Sequence, residues 1–164
     1  MKVLINQKQI KRKVKELGKQ ITKDYPNGVV IVGILKGCVL FLSDLIREVK
    51  TDCVIDFIWV KSYVGQRSNV VKLINDISFD VSGKDVLIVD TVIDTGKTVN
   101  FVKNHFLLKG AKSVKTCILL DKEEVRQIPV KVDYTGFKIP NKFVVGYGLD
   151  FNERYRNLPV IAIL

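Results

Sequence analysis

A chain of 164 residues, 47% of them hydrophobic and 27% charged, is one domain's worth and too apolar for a disordered segment. The formal charge of +10 favours anionic ligands, but the lysines are dispersed over residues 8–23, 103–115 and 131–142. That is the pattern of solvated faces, so a nucleic-acid partner is not expected. No apolar run approaches the ~18 residues of a membrane span, and the N-terminus turns charged at Lys2, so a cytoplasmic protein with no membrane partner is expected. Cys38, Cys53 and Cys117 sit singly in apolar stretches without CxxC spacing and read as core thiols.

Along the chain, Asn6 and Gln9 form a helix-capping pair, and Ile10, Val14, Leu17 and Ile21 recur at helical spacing, which predicts a helix to about Asp24. Tyr25-Pro26-Asn27-Gly28 stops it, and residues 29–35 form an apolar run suited to a strand buried on both faces. Lys36-Gly37 follows at the carboxyl end of that strand, then an apolar helix over 39–49. Residues 53–63 read as a long strand passing into Ser62, Tyr63 and a polar, glycine-containing stretch to Asn69, either a hairpin connection or a flap. A strand resumes over 70–74. Residues 86–89 predict another buried strand, 99–108 a helix and 113–120 a further strand, with Asp121-Lys122 at its end. This alternation indicates an α/β fold with a mostly parallel, doubly wound sheet. From 123 to 140 polar residues and two prolines dominate; a short apolar piece and a glycine pair then lead to Asp150.

The chemically richest stretch is Asp90-Thr91-Val92-Ile93-Asp94-Thr95-Gly96-Lys97-Thr98. Hydroxyls, a glycine and a cation meet a helix start, where unpaired backbone N–H groups attract phosphate. The triphosphate P-loop would need a glycine where Thr91 stands, and the dinucleotide fingerprint would need three spaced glycines where there is one. Acids flanking an anion cradle suit a ligand that also carries sugar hydroxyls, a magnesium ion or a mobile proton. Lys36, Asp94, Lys122 and Asp150 fall at strand ends or in the glycine-rich tail, where ligands of open α/β sheets collect. The lone His105 lies inside a predicted helix and reads as structural.

These blocks, together with Gly136-Phe137-Lys138-Ile139-Pro140, residues 143–150 and Glu153 to Pro159, resemble the hypoxanthine-guanine branch of the type I phosphoribosyltransferases, nearly end to end and in order. The resemblance implies that fold, as a single domain over residues 1–164. Its core would cover about 25–122, with a small hood from the N-terminal segment and about 123–164. It implies purine salvage: transfer of the 5-phosphoribosyl group from phosphoribosyl pyrophosphate to N9 of hypoxanthine or guanine, with Mg2+, in a homodimer or homotetramer. By the same resemblance Asp94, Thr95, Gly96, Lys97 and Thr98 bind the 5-phosphate, and Asp94 is catalytic, exchanging a proton with purine N7. Asp90 and Thr91 bind ribose. Leu35, Lys36 and Gly37, in the family through a non-proline cis peptide, bind pyrophosphate with Arg156. Ser62 and Tyr63 belong to a closing flap. Phe143 stacks on the purine, Lys122 donates to its 6-oxygen, and backbone groups at Val144 and Asp150 read the remaining edge. Asp150 and Asp90 are the implied metal ligands.

One departure stands out. Where the family has Glu-Asp, this chain has Asp90-Thr91, so one acid is shortened and the other becomes a hydroxyl. Thr91→Asp is therefore expected from the sequence to improve phosphoribosyl pyrophosphate use. The same change and the positive charge support an alternative, a nucleic-acid-binding regulator on this fold with lost or weak catalysis. A xanthine-preferring relative is a second alternative.

Overall fold

The computed structural model describes residues 1–64 and 69–164, with the backbone only at 63, 64 and 69. The described elements are β1 (Lys2–Ile5), α1 (Gln7–Asp24), β2 (Val29–Leu35), α2 (Val39–Glu48), β3 (Cys53–Val64), β4 (Asn69–Asn75), β5 (Asp85–Ile93), α3 (Lys97–Leu108), β6 (Ser113–Asp121), β7 (Tyr134–Lys138), β8 (Val144–Val145) and β9 (Ile161–Ile163). Six strands form one sheet in the order β4-β3-β2-β5-β6-β7. All its pairs are parallel except β3–β4, which is the antiparallel hairpin. The expected α/β, mostly parallel doubly wound sheet is present.

Period-two alternation sorts the sheet's side chains into two cores. Ile31, Leu87 and Val89 pack with Leu17 of α1 and Phe41 of α2 on one face. Val30, Val32 and Ile88 pack with Val102 and Phe106 of α3 on the other. Burying each such side chain contributes roughly 1.5–3 kcal/mol, and β2 and β5 are buried on both faces. Helix α1 starts at the expected capping box, with Gln9 N–H donating to the Asn6 side chain at 3.0 Å and Asn6 N–H to Gln9 Oε1 at 2.9 Å. His105 of α3 is tied to Asp76 at 2.9 Å, a structural contact far along the helix from its N-terminus.

Two differences from the sequence reading bear on the site. β5 does not stop at Val89 but runs to Ile93, because Val92 and Ile93 keep their pairing with Leu120 and Asp121 of β6. Asp90 and Thr91 are therefore strand residues rather than loop. β7 lies inside the polar tail yet joins the main sheet beside β6. The separate small sheet is β1-β9-β8, built from the two ends of the chain. Among the described residues, no helix is long and apolar enough to cross a membrane.

Candidate active site

Strands β2, β5 and β6 are parallel neighbours, so their carboxyl ends open on one edge and bring residues 35–37, 90–98 and 121–122 together. A cavity of about 300 Å³ there is lined by Ser62, Asp90 and residues 92–99. Its floor is the turn into α3. Gly96 caps the helix with φ of 87°, and a Cβ there would lie 2.9 Å from the Ile128 carbonyl oxygen, so only glycine fits. The first-turn N–H groups of α3 lack intrahelical partners, and Lys97 N–H has only the Thr95 hydroxyl at 3.4 Å. Asp94, Thr95, Gly96, Lys97 and Thr98 thus form one cradle with the character of an anion site. Ser62, at the far end of β3, touches it through its hydroxyl, 3.2 Å from that of Thr98. The rest of the expected flap, residues 65–68 and the Tyr63 side chain, lies outside the described residues.

Asp90 lines this cavity while Thr91 is wholly buried and donates its hydroxyl to the Gly37 carbonyl oxygen at 2.8 Å. Burial pushes the Asp90 carboxyl up to about 7, with the Asp94 charge acting in the same direction and the Thr91 N–H bond opposing it. A carboxyl poised near neutrality at a cleft is characteristic of functional sites.

Lys122, 6% exposed, carries its ammonium from the end of β6 to Asp94 at 3.0 Å. One of its three donors is used there, and the others remain for a ligand. Behind this pair is a residue the sequence reading missed. Arg126 bonds the buried Asp121 carboxylate through Nη2, the Asp94 carbonyl oxygen through Nε at 3.0 Å and the Val130 carbonyl oxygen through Nη1 at 3.5 Å. Gln127 and Ile128 N–H groups both donate to the Thr95 carbonyl oxygen at 3.0 Å. The segment after β6 thus braces the turn into α3 from behind. Nothing local in a polar tail marks an arginine for that task.

On the other flank, the Leu35–Lys36 peptide bond is cis. The Lys36 ammonium lies 3.2 Å from Glu153 and 5.9 Å from the Trp59 ring centroid. Arg156 meets the same Glu153 carboxylate at 3.2 Å and Asp150 at 3.0 Å, and donates to the Gly148 carbonyl oxygen at 2.8 Å. Its Nε is buried with no partner among the described residues. Glu153, which the sequence reading did not select, therefore joins the two cations; both hold its carboxyl below the usual range. It sits in a tight turn in which Asn152 and Glu153 have φ of 51° and 62° and its N–H donates to Asp150 at 2.8 Å.

The remaining residues expected at the site lie at and beside β8 of the small sheet. Phe143 is 54% exposed, edge-on to Phe151 at 5.8 Å, leaving an aromatic surface free. Val144 opposes Ile163 while Leu164 N–H donates to the Phe143 carbonyl oxygen at 3.2 Å. In an antiparallel ladder that pattern turns the N–H and C=O of Val144 away from β9, toward the open edge of β8.

The family model of the phosphoribosyl transferase domain matches residues 3–152. A hypoxanthine-guanine phosphoribosyltransferase of Aquifex aeolicus is 42% identical, over 100% of this chain and 94% of its own. One from Bacillus subtilis is 44% identical, over 99% of this chain and 92% of its own. The crystal structure of a hypoxanthine-guanine phosphoribosyltransferase from Bacillus anthracis, with a HEPES molecule in its active site, superposes with a TM-score of 0.96 at 44% identity, covering 100% of this chain and 98% of that one. With fold, strand-end loops and full-length similarity in agreement, this chain belongs to the phosphoribosyltransferase family, among relatives of the hypoxanthine-guanine type.

Proposed function

We propose that this chain is a purine salvage enzyme that transfers the 5-phosphoribosyl group from phosphoribosyl pyrophosphate to N9 of hypoxanthine or guanine, giving IMP or GMP and pyrophosphate. The observation that carries this reading is the Lys122–Asp94 pair at 3.0 Å, set at the mouth of the phosphate cradle and buried on the lysine side. It joins a donor for a 6-oxygen to a carboxylate beside the phosphate. Phe143 would stack on the purine, and Val144 and Asp150 backbone groups would read its other edge. A 6-amino group offers no acceptor to the buried lysine, so adenine is rejected by ~1–3 kcal/mol.

In the reaction, the C1′–oxygen bond to pyrophosphate breaks and the N9–C1′ bond forms. Asp94 takes up or returns the proton at N7. Thr95, Gly96, Lys97 and Thr98 hold the 5-phosphate, Asp90 takes a ribose hydroxyl, and the 35–37 turn with Arg156 holds the departing pyrophosphate. Ser62 and Tyr63 would close over an oxocarbenium-like centre and exclude water.

Hard carboxylate oxygens at Asp90 and Asp150 suit Mg2+. Among the described residues no group of three or more His, Cys, Asp and Glu side chains gathers, which fits an ion completed by substrate phosphates. Asp90 and Asp150 would hold the ion, and its chemistry when bound would be neutralisation of charge on pyrophosphate. The proposal includes a single domain in which the small sheet is the hood over the cleft. It also includes a cytoplasmic setting, in keeping with three unpaired cysteines, and a homodimer or homotetramer.

The test is a spectrophotometric assay with phosphoribosyl pyrophosphate and Mg2+, offering hypoxanthine, guanine, xanthine and adenine in parallel. Turnover of 6-oxopurines without adenine is expected. Silence on all four, with salt-sensitive nucleic-acid binding, would overturn the proposal in favour of a regulator.

A further inference from the structure

Thr91 occupies the position where the family's second acid is expected, and its contacts point to a different task. The side chain is 0% exposed, whereas its neighbour Asp90 lines the cavity. Successive strand residues face opposite ways, so the two positions address different surroundings. The Thr91 hydroxyl crosses from β5 to the turn after β2 and donates to the Gly37 carbonyl oxygen at 2.8 Å. The same carbonyl is backed by the hood: Gly148 has φ of 98°, and a Cβ on it would collide with the Gly37 oxygen. Gly37 is thus held between a strand hydroxyl and a hood glycine.

We infer that Thr91 is a positioning residue for the pyrophosphate turn, its hydroxyl fixing the Gly37 carbonyl and with it residues 35–37. The inference rests on the reading of this cleft as a phosphoribosyl pyrophosphate site. Threonine can do this and aspartate cannot. An ionised carboxylate has no hydrogen to give, and at this place it would set an acceptor against a carbonyl oxygen. The change from acid to hydroxyl therefore exchanges a ligand contact for a fixed turn and leaves Asp90 as the acid for ribose. It also reverses the expectation drawn from sequence alone, that Thr91→Asp improves substrate use.

Thr91→Val keeps the shape and removes only the donor, Thr91→Ser keeps the donor, and Thr91→Asp restores the acid. Magnesium pyrophosphate binding is measured by calorimetry, and steady-state kinetics are measured with hypoxanthine. Thr91→Val should weaken pyrophosphate and raise KM for phosphoribosyl pyrophosphate about five- to tenfold, the cost of a part-buried carbonyl left without its donor. The effect on kcat should be smaller and KM for hypoxanthine should not move, a split that general destabilisation does not produce. Thr91→Ser should stay within about twofold of the parent, and Thr91→Asp should bind at least as weakly as Thr91→Val. An active parent whose Thr91→Val variant binds pyrophosphate unchanged, or a Thr91→Asp variant that binds more tightly, overturns the inference and leaves the proposed reaction standing. A parent that binds pyrophosphate through Thr91 but turns over no 6-oxopurine does the reverse. A parent that does neither overturns both.

Discussion

Arg126 offers the sharpest test of how the site is held, because its guanidinium connects a buried acid to the main chain of the proposed catalytic residue. The Arg126 and Asp121 side chains are 16% and 4% exposed, so their ion pair lies largely out of water. Arg126→Met preserves most of the volume and removes all three guanidinium bonds. The larger consequence is the Asp121 carboxylate left alone in the interior, which costs about 3–5 kcal/mol, as when one partner of a buried pair is deleted. The Asp94 and Val130 carbonyl groups lose a donor as well, adding about 1 kcal/mol. Urea unfolding should therefore show a loss of roughly 5 kcal/mol, and the melting temperature should fall by about 10–20 °C for a domain of this size. Adding Asp121→Asn removes the stranded charge, and the double variant should recover about 2 kcal/mol of that loss. Because Arg126 Nε also holds the Asp94 carbonyl oxygen, kcat should fall in Arg126→Met at temperatures where it is fully folded. A loss below about 1 kcal/mol, or a double variant no better than the single, would refute the brace.

The raised pKa of Asp90 makes stability depend on pH. Its folded value near 7 lies above the ordinary 3.8, so between them the native state binds the proton more tightly and stability falls as pH rises through the window. Asp90→Asn should gain on the parent from pH 4 to 7 in melting curves and stay level above; parallel curves would refute the raised pKa. Lys122→Gln should raise KM for hypoxanthine by about ten- to a hundredfold and narrow the preference over adenine, read from kcat/KM for both bases. Gly96→Ala should lose about 1–3 kcal/mol and weaken phosphoribosyl pyrophosphate binding, since the new Cβ meets both positive φ and the Ile128 carbonyl oxygen. Glu153→Gln should tighten pyrophosphate about two- to fivefold in calorimetry by releasing Lys36 and Arg156 from a shared, exposed counter-charge.

Burial made β2 legible: seven apolar residues between a turn and Lys36 give the same bounds, Val29–Leu35, by pattern and in the fold. The same criterion failed at β5, where polarity suggested a loop from Asp90. Pairing to β6 carries the strand through two polar residues, and strand geometry then separates them, one facing the cavity and one buried. β7 escaped notice because Tyr134–Lys138 is an edge strand with mixed burial, defined by its neighbour rather than its own pattern. The cradle at the start of α3 was readable as a candidate anion site because its residues are contiguous in the chain. Arg126 and Glu153 were not, because each is given its role by residues far away in sequence, Arg126 by Asp94 and Glu153 by Lys36.

That distinction explains the charges around the cleft. Three of the four cations assigned to substrate groups meet an acid of the chain: Lys122 meets Asp94, Lys36 meets Glu153, and Arg156 meets both Asp150 and Glu153. Unpartnered, these cations would repel one another and be held loosely around an open cavity; paired, they are oriented before the substrate arrives. An incoming polyanion then exchanges one set of ion pairs for another, so the smaller entropic cost of ordering the cations is set against competition from the acids that hold them, and for exposed Glu153 the competition is the larger effect. The pairs differ in consequence. Asp94 is the proposed partner of the purine proton, so on that proposal the Lys122 pair serves turnover. The Glu153 side chain is 66% exposed and, among the described residues, its carboxylate bonds only the two cations, so its pairs hold Lys36 and Arg156 until a stronger anion takes its place.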